Sequence, residues 1–543
     1  MTPPTHRQSE HETADPGIGG SQDHTRRSLL LRAAAGGLVA GAGLVPAALP
    51  APARAADEPP PLPVPGSVFE ADTLVQLARA RAKAAYSAPR ADDLPAALKG
   101  LSREQYAAIH TTPGSAIWEG DGLPFTLEPL HRGSIYSASV PLFLVEDGRV
   151  QPVAYDRARF TADGLSLPDF DRKPDTPDPG YSGFRLRARF DGGDLSDFAV
   201  FQGASFFRLL AKGQGFGVTA RALTLRPADA RGEEFPAFRA FFIEKPPAQG
   251  ALVLHALVES ESAAAALRIT LQPGAEASVT DVEATVFARL EIDHLGLGGM
   301  QASYLFGGLD RRNVDDAREG AYSAGGLAIR NGAGEAIWRP VHNPDALQIS
   351  SFVDENPKGF GLMQRARSLS DFEDDVQHWE WRPSLWLEPR DGWGAGAVTL
   401  LEIPSDSAFN ENVLAYWRPK APLAAGAETR FAYRQHWCWQ PPEPPQLASV
   451  SASRSGRGVS GTRRLFLVDF SGEGLFSEPG LDIALSAGPG AITRRQLYLY
   501  PERKTVRVAF ELDPGSERAC ELRLLLRRGE RPVTETWLYR WTP

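Results

Sequence analysis

From about residue 115 to the end of the chain, short runs rich in Val, Phe, Leu and Tyr alternate with turns of Gly, Pro and Asp. "GFRLRARF", "FGVTARALTL", "FRAFFIEKP", "LVLHALVES", "LRITLQPG" and "DVEATVFARLEI" are examples. Many alternate with period two, which sends successive side chains to opposite faces of a strand. No helical run separates them, and a parallel sheet needs crossover helices, so the pattern predicts an antiparallel all-β fold. Its persistence to residue 439 predicts one large N-terminal β-sandwich over residues 67–439. "QPPEPPQ" at 440–446 sets four prolines in seven residues, a semi-rigid extended linker. Residues 447–543 then carry "RRLFLVDF", "LDIALSAG", "ITRRQLYLYP", "TVRVAFELDP", "CELRLLLRRG" and "VTETWLYRW". Six or seven short strands in about 100 residues is the rhythm of an immunoglobulin-like sandwich.

Helix is confined to the start. In "FEADTLVQLARARAKAAYSAP", Asp72 is the expected N-cap, Leu74, Leu77, Ala78 and Arg81 share a face, and Pro89 ends the run. Ser102 is expected to cap a second short helix in "SREQYAAIH". Residues 56–66, "ADEPPPLPVPG", form a proline-rich leader. Before it, Arg26-Arg27 precede a run rich in Ala, Gly and Leu, and Ala53-Arg54-Ala55 gives a small-x-small cleavage pattern. Residues 1–55 thus read as a twin-arginine export signal, which predicts a periplasmic protein with no stable membrane insertion after cleavage.

Several chemistries are poorly matched. With 58 basic against 67 acidic residues and no long basic run, nucleic acid is not an expected partner. "GQGFG" at 213–217 is followed by a strand rather than a helix N-terminus, so it lacks the dipole of a phosphate site. Seven histidines beyond the leader are scattered without metal-ligand spacing, and "DRRNVDDARE" lacks the glycine and terminal acid of a calcium loop. No cofactor or metal is expected. Cys438 and Cys520 make no disulfide framework; they are expected as buried thiols, with a cross-domain pair as the alternative.

Aromatic density remains. Eight of the eleven tryptophans fall between 338 and 439, mixed with carboxylates that include Asp354, Glu355, Asp374, Glu402 and Glu411. Any single tryptophan suits a sandwich core; the cluster suits a sugar site, because flat sugar faces stack on rings and hydroxyls need fixed polar partners.

Long stretches carry a resemblance. "FAVFQGASFFRLLAKGQGFGVTARALTL", "GEEFPAFRAFFIEKP", "WRPVHNP", "FVDENPKGFGLMQR", "RPSLWLEP" and "LLEIP…LAYW" resemble the osmoregulated periplasmic glucan biosynthesis family, proteins G and D, from about residue 66 to the final "TETWLYRW". The leader resembles that of the D branch. The resemblance implies a large sandwich of the carbohydrate-enzyme type joined to an immunoglobulin-like one, and β-glucan chains as partner, with other glucan synthesis proteins possible further partners. It implies a role in shaping the glucose backbone, with enzymatic members acting on β-1,2-glucan by an inverting mechanism. On "IPSDSAFNENVLAYW" the family's general acid, an Asp, falls on Glu411, and a family Glu three positions earlier falls on Ala408. A second family acid falls on Ser323 in "AYSAGGL".

Glu411 is therefore the expected general acid, its pKa raised by burial near Tyr416 and Trp417. Glu355 and Asp374 are the candidates for its base. Trp338, Arg339, Trp386, Trp393 and Tyr416 are the expected sugar contacts. Two readings stay open: a glucan hydrolase or transglycosylase, and a non-catalytic protein that binds or chaperones glucan in the same pathway.

Overall fold

The strand pattern folds into two face-packed sheets. The computed structural model describes residues 59–70, 72–162, 180–311, 314–442, 446–459 and 461–543; the export signal, the first three residues of the leader and the middle of the proline linker lie outside them. Hairpins built from Leu252–Glu259, Ala263–Gln272 and Ala277–Ala288 form neighbouring strands of a 15-stranded sheet. A 10-stranded sheet packs against it, with the strands Gly183–Arg189, Leu195–Gln202, Phe206–Leu209, Thr219–Arg221, Leu295–Ala302 and Val413–Pro419 lying side by side in that order. Phe201, Phe207, Ala220, Met300 and Trp417 from the smaller sheet meet Leu254, Val258 and Ile269 from the larger one in a single core. Period-two alternation does the sorting: Leu257, between Ala256 and Val258, faces the other way and packs under the helix Thr73–Lys83 with Leu74 and Ala78.

That helix starts without its expected cap. Asp72 already has helical backbone angles and makes no cap bond, and its carboxylate accepts instead from Gln76 Nε2 at 2.6 Å. Ser102 does cap the helix Arg103–Ala107, in a reciprocal box with Gln105.

A second, smaller sandwich follows residue 446. The four strands Ser449–Arg457, Arg464–Ser471, Thr505–Asp513 and Ala491–Tyr500 form one layer. The other layer, Asp482–Gly488, Cys520–Arg528 and Thr536–Trp541, is the end of the 15-stranded sheet itself, joined through a parallel pairing of Ile337 with Thr536 and Trp338 with Trp537. One sheet therefore runs through both sandwiches.

This continuity corrects two expected sugar contacts. Trp338 and Trp386 are buried in the core of the second sandwich with Phe466, Phe510 and Trp537, and one face of Trp338 is covered by the Arg365 guanidinium at 3.7 Å. Cys438 and Cys520 are both free and buried, Cys438 beside Ser384 in the first sandwich and Cys520 in the core of the second. Burial pushes the Cys438 thiol up to about 12. No helix among the described residues is long and apolar enough to cross a membrane.

Candidate functional site

Glu411 sits in the loop between the strands Ala395–Glu402 and Val413–Pro419, and two asparagines peg that loop. Asn412, buried, accepts from Tyr304 N at 2.8 Å and donates to Tyr304 O and Ile403 O at 3.0 and 2.9 Å. Asn343 clamps Ser405 in the same two-way manner, accepting from its N–H and donating to its carbonyl, both at 2.8 Å. Asn412→Ala leaves two buried backbone groups of Tyr304 and the part-buried Ile403 carbonyl without this partner, so a loss of about 2 kcal/mol is expected in urea unfolding. An unchanged midpoint would show that the loop holds itself.

The peg aims Glu411 at the outer face of the 10-stranded sheet. Arg208 lies between the core residues Phe207 and Leu209, Thr219 between Val218 and Ala220, and Gln301 between Met300 and Ala302. By alternation all three point away from the core, and all three converge on one carboxylate. Arg208 Nη2 donates to Glu411 Oε1 at 3.2 Å, Thr219 Oγ1 donates to the same oxygen, and Gln301 Nε2 donates to Oε2. Arg208 Nε also donates to Thr219 Oγ1 at 2.5 Å. The Gln301 carbonyl takes Arg221 Nε at 2.6 Å, and Arg221 pairs with Glu233. Two arginines and two carboxylates thus form a charge-balanced chain across three strands. Glu411 keeps 12% of its side-chain surface exposed.

Aromatic rings flank the chain. Arg221 lies over Phe206 and Phe235 on one side. On the other, Phe409 is exposed beneath the Arg103 guanidinium, 5.0 Å from the ring centre. Arg103 belongs to an N-terminal layer that covers part of the outer face; within it Tyr106 OH accepts from Gln202 Nε2 at 2.7 Å and donates to His131 O at 2.7 Å.

The expected surroundings of Glu411 differ from these. Trp417 belongs to the inter-sheet core, and Tyr416 is buried with its OH on His294 Nε2 at 2.7 Å. Neither touches the carboxylate; polar donors, not rings, surround it. Trp393 packs on Phe360, Trp417 and Tyr433 and serves the core. Arg339 is buried in an ion pair with Glu402 at 3.0 Å, so it is not available to sugar.

The base candidates are also displaced. Glu355 pairs in register with Ala395, whereas Glu402 at the other end of that strand pairs with Val413 beside Glu411. Seven residues of strand put the two ends about 23 Å apart, too far for one reaction. Asp374 is nearly buried and accepts from Arg318, Trp379 Nε1 and the amides of Val376 and Gln377. Burial alone would raise its pKa, but these bonds outweigh it and hold the carboxyl below the usual range. Asp374 thereby shapes the turn around it. Ser323 Oγ accepts from Ser303 N at 2.9 Å, a staple between neighbouring strands. Ala408 packs among Phe306, Ala321, Phe372 and Trp379, leaving an apolar cluster where the resemblance implies a carboxylate.

Arg208, Thr219, Arg221, Gln301 and Glu233 were not candidates from sequence. Their signal is a polar residue at the outward phase of an apolar strand, as in "SFFRLL", "GVTARAL" and "GMQAS". Among the described residues no group of three or more His, Cys, Asp or Glu side chains is placed to hold a metal.

Comparison with known proteins agrees with the resemblance. The family model described as "Periplasmic glucan biosynthesis protein, MdoG" matches residues 69–541. "Glucans biosynthesis protein G" of Vibrio cholerae is 41% identical over 482 residues, covering 87% of each chain. The proteins of the same name from Bradyrhizobium diazoefficiens and Rhodopseudomonas palustris are 40% and 39% identical, covering 88% and 92% of this chain and 94% and 97% of theirs. These relatives bear the name G, which corrects the D-branch likeness drawn from the leader. Among solved structures, a GH36 alpha-galactosidase from Geobacillus stearothermophilus aligns over 47% of this chain and 39% of its own at 9% identity and a TM-score of 0.25, too low to bear on the site. The chain belongs to the periplasmic glucan biosynthesis protein family.

Proposed function

We propose that this chain is a periplasmic protein that holds β-glucan chains while their glucose backbone is shaped, and that it binds them on the outer face of the 10-stranded sheet around Glu411. Export through the Arg26-Arg27 signal belongs to the same reading. The observation that carries it is the engagement of Glu411: both carboxylate oxygens accept bonds from Arg208, Thr219 and Gln301. A charge-balanced row of amide, hydroxyl, guanidinium and carboxylate groups matches sugar hydroxyls, which both donate and accept. An inverting reaction needs a second carboxyl about 6.5–9.5 Å from the acid. The two positions from which the resemblance would draw one hold Ala408 and Ser323, both turned inward.

A second reading is favoured by one fact: a carboxyl is retained at position 411, on the side of the sheet that a ligand can reach. In it protonated Glu411 leaves Gln301 or Thr219 and gives its proton to the glycosidic oxygen as the anomeric C–O bond breaks; water takes the anomeric carbon in a hydrolase, and a sugar hydroxyl takes it in a transglycosylase. General-acid work then requires the proton within about 2.6–3.2 Å of the leaving oxygen.

Incubation of the mature protein with linear β-1,2-glucan separates the readings. The binding reading expects glucan bound by wild type, about tenfold weaker binding by Glu411→Ala, and no shortened or cyclised product from either. Such products from wild type but not from Glu411→Gln would establish the catalytic reading instead.

A further inference from the structure

The strand Gly359–Met363 leaves the large sheet and returns only at Ser384, and the intervening excursion ends in the sequence "HWEW". The two tryptophans of this stretch part company. Trp379 turns inward to the cluster with Ala408 and Phe306. Trp381, on the other side of the same short 3-10 turn, belongs to no core cluster and is 42% exposed.

Considerable structure is spent on holding that exposed ring still. His378 has a left-handed backbone, φ 47°, which a non-glycine residue seldom adopts. This turns its imidazole flat onto the Trp381 indole, with ring centres 3.8 Å apart and planes 5° from parallel. Glu380 fixes the imidazole from the side, Oε1 to Nδ1 at 2.8 Å. Arg367 bonds the carbonyls of Glu380, Arg382 and Trp439, and Arg382 reaches Gln377 O at 2.8 Å.

The excursion is also tied to the Glu411 site. Gly215 N donates to Trp381 O at 3.1 Å, and Arg382 bonds Phe216 O. Residues 210–218 join the strands that supply Arg208 and Thr219, so Trp381 stands at the end of the sheet where those two hold Glu411. A Cβ on Gly217 would come within 2.7 Å of Arg382, so the glycine permits this docking. One face of the indole is backed by His378, and the residue is otherwise open enough to keep 42% of its surface exposed.

We propose that Trp381 is a sugar-stacking platform, on which the apolar face of a pyranose unit of the glucan lies at the lip of the Glu411 site. An aromatic face on solvent gives up burial that the fold could have used, and a flat sugar face recovers it. The inference rests on the reading that glucan binds the outer face, and names the residue that positions it there.

Calorimetric titration of the mature protein with linear β-1,2-glucan tests it, with Trp381→Ala, Trp381→Phe and Glu411→Ala in parallel. The expected result is about tenfold weaker binding by Trp381→Ala, near wild-type binding by Trp381→Phe, and unchanged urea midpoints for both. Wild-type affinity in Trp381→Ala, with binding about tenfold weaker in Glu411→Ala, would overturn the platform and leave the glucan face standing. No binding by folded wild type would overturn both. A lowered midpoint for Trp381→Ala with equal loss in Trp381→Phe would assign the ring to structure and likewise overturn the platform.

Discussion

Replacing Glu402 by glutamine is expected to cost about 3–5 kcal/mol of stability, the penalty for leaving one partner of a buried ion pair uncompensated. Glu402 has no exposed side-chain surface and Arg339 has 2%. Arg339 Nη2 donates to Oε2 at 3.0 Å and His342 N donates to Oε1 at 3.0 Å. Burial by itself would raise the Glu402 pKa, but the charge of Arg339 and the contacts of His342 outweigh it and hold the carboxyl below its ordinary value. Its contribution to stability is therefore complete above the unfolded value of about 4.3 and is lost as pH falls through the lower folded value. Arg339 also lies over the Tyr539 ring, 5.4 Å from its centre, so the pair ties the first sandwich to the second. Urea unfolding at pH 7 measures the effect. The double variant Arg339→Met/Glu402→Leu is expected to recover most of the loss, because an apolar pair of similar volume avoids the desolvation of both charges. A change below about 1 kcal/mol in Glu402→Gln would show that water reaches the pair.

The same residue shows why the sequence misled at the site. An Arg beside a Trp in "WRPVHNP" has the composition of a sugar contact, and only its partner Glu402, brought in by the fold, makes it structural. Trp338 and Trp386 serve a core completed by Phe466, Phe510 and Trp537 from the end of the chain, so their closeness in sequence to Trp379 and Trp381 does not make one site. The parallel pairing of Ile337 with Thr536 leaves no local trace, so the shared sheet was not legible either. What was legible had a local cause. Period-two alternation marked the strands, the prolines at 440–446 marked the passage to the second set, and Ser102 with Gln105 marked a helix start. Glu411 stood among several carboxylates of the tryptophan-rich region, and the resemblance singled it out. Its partners come from strands around residues 208, 219 and 301, and each reads in sequence as one polar residue in an apolar run.

Acid is expected to remove up to about 3 kcal/mol through a single histidine as pH falls from about 6.5 to about 4. His131 is 2% exposed, directly after the strand Phe125–Leu130. Its Nδ1 bonds Arg132 O at 2.6 Å, its Nε2 bonds Tyr155 OH at 3.0 Å, and Phe160 packs edge-on. Burial is the main reason its pKa falls to about 4; the bond to Arg132 O opposes this, and the charges of Arg157 and Arg132 add to it. With the folded value below the unfolded one, the folded state binds protons less readily, so stability is complete above about 6.5 and declines through the folded value. Comparing wild type with His131→Gln isolates this from the carboxylates that titrate in the same range. The variant is less stable at pH 7, having lost the packing on Tyr155 and Phe160, and the gap is expected to close by up to about 3 kcal/mol at pH 4. An equal gap at both values would mean that the imidazole takes up its proton as readily in the folded protein as in the unfolded chain. The location gives the test a functional edge. The carbonyl of His131 accepts from Tyr106, which with Gln202 holds the N-terminal layer, and Arg103 over Phe409, against the outer face. Protonating His131 in the folded protein places a charge beneath that layer, so glucan binding is expected to weaken as pH falls towards about 4.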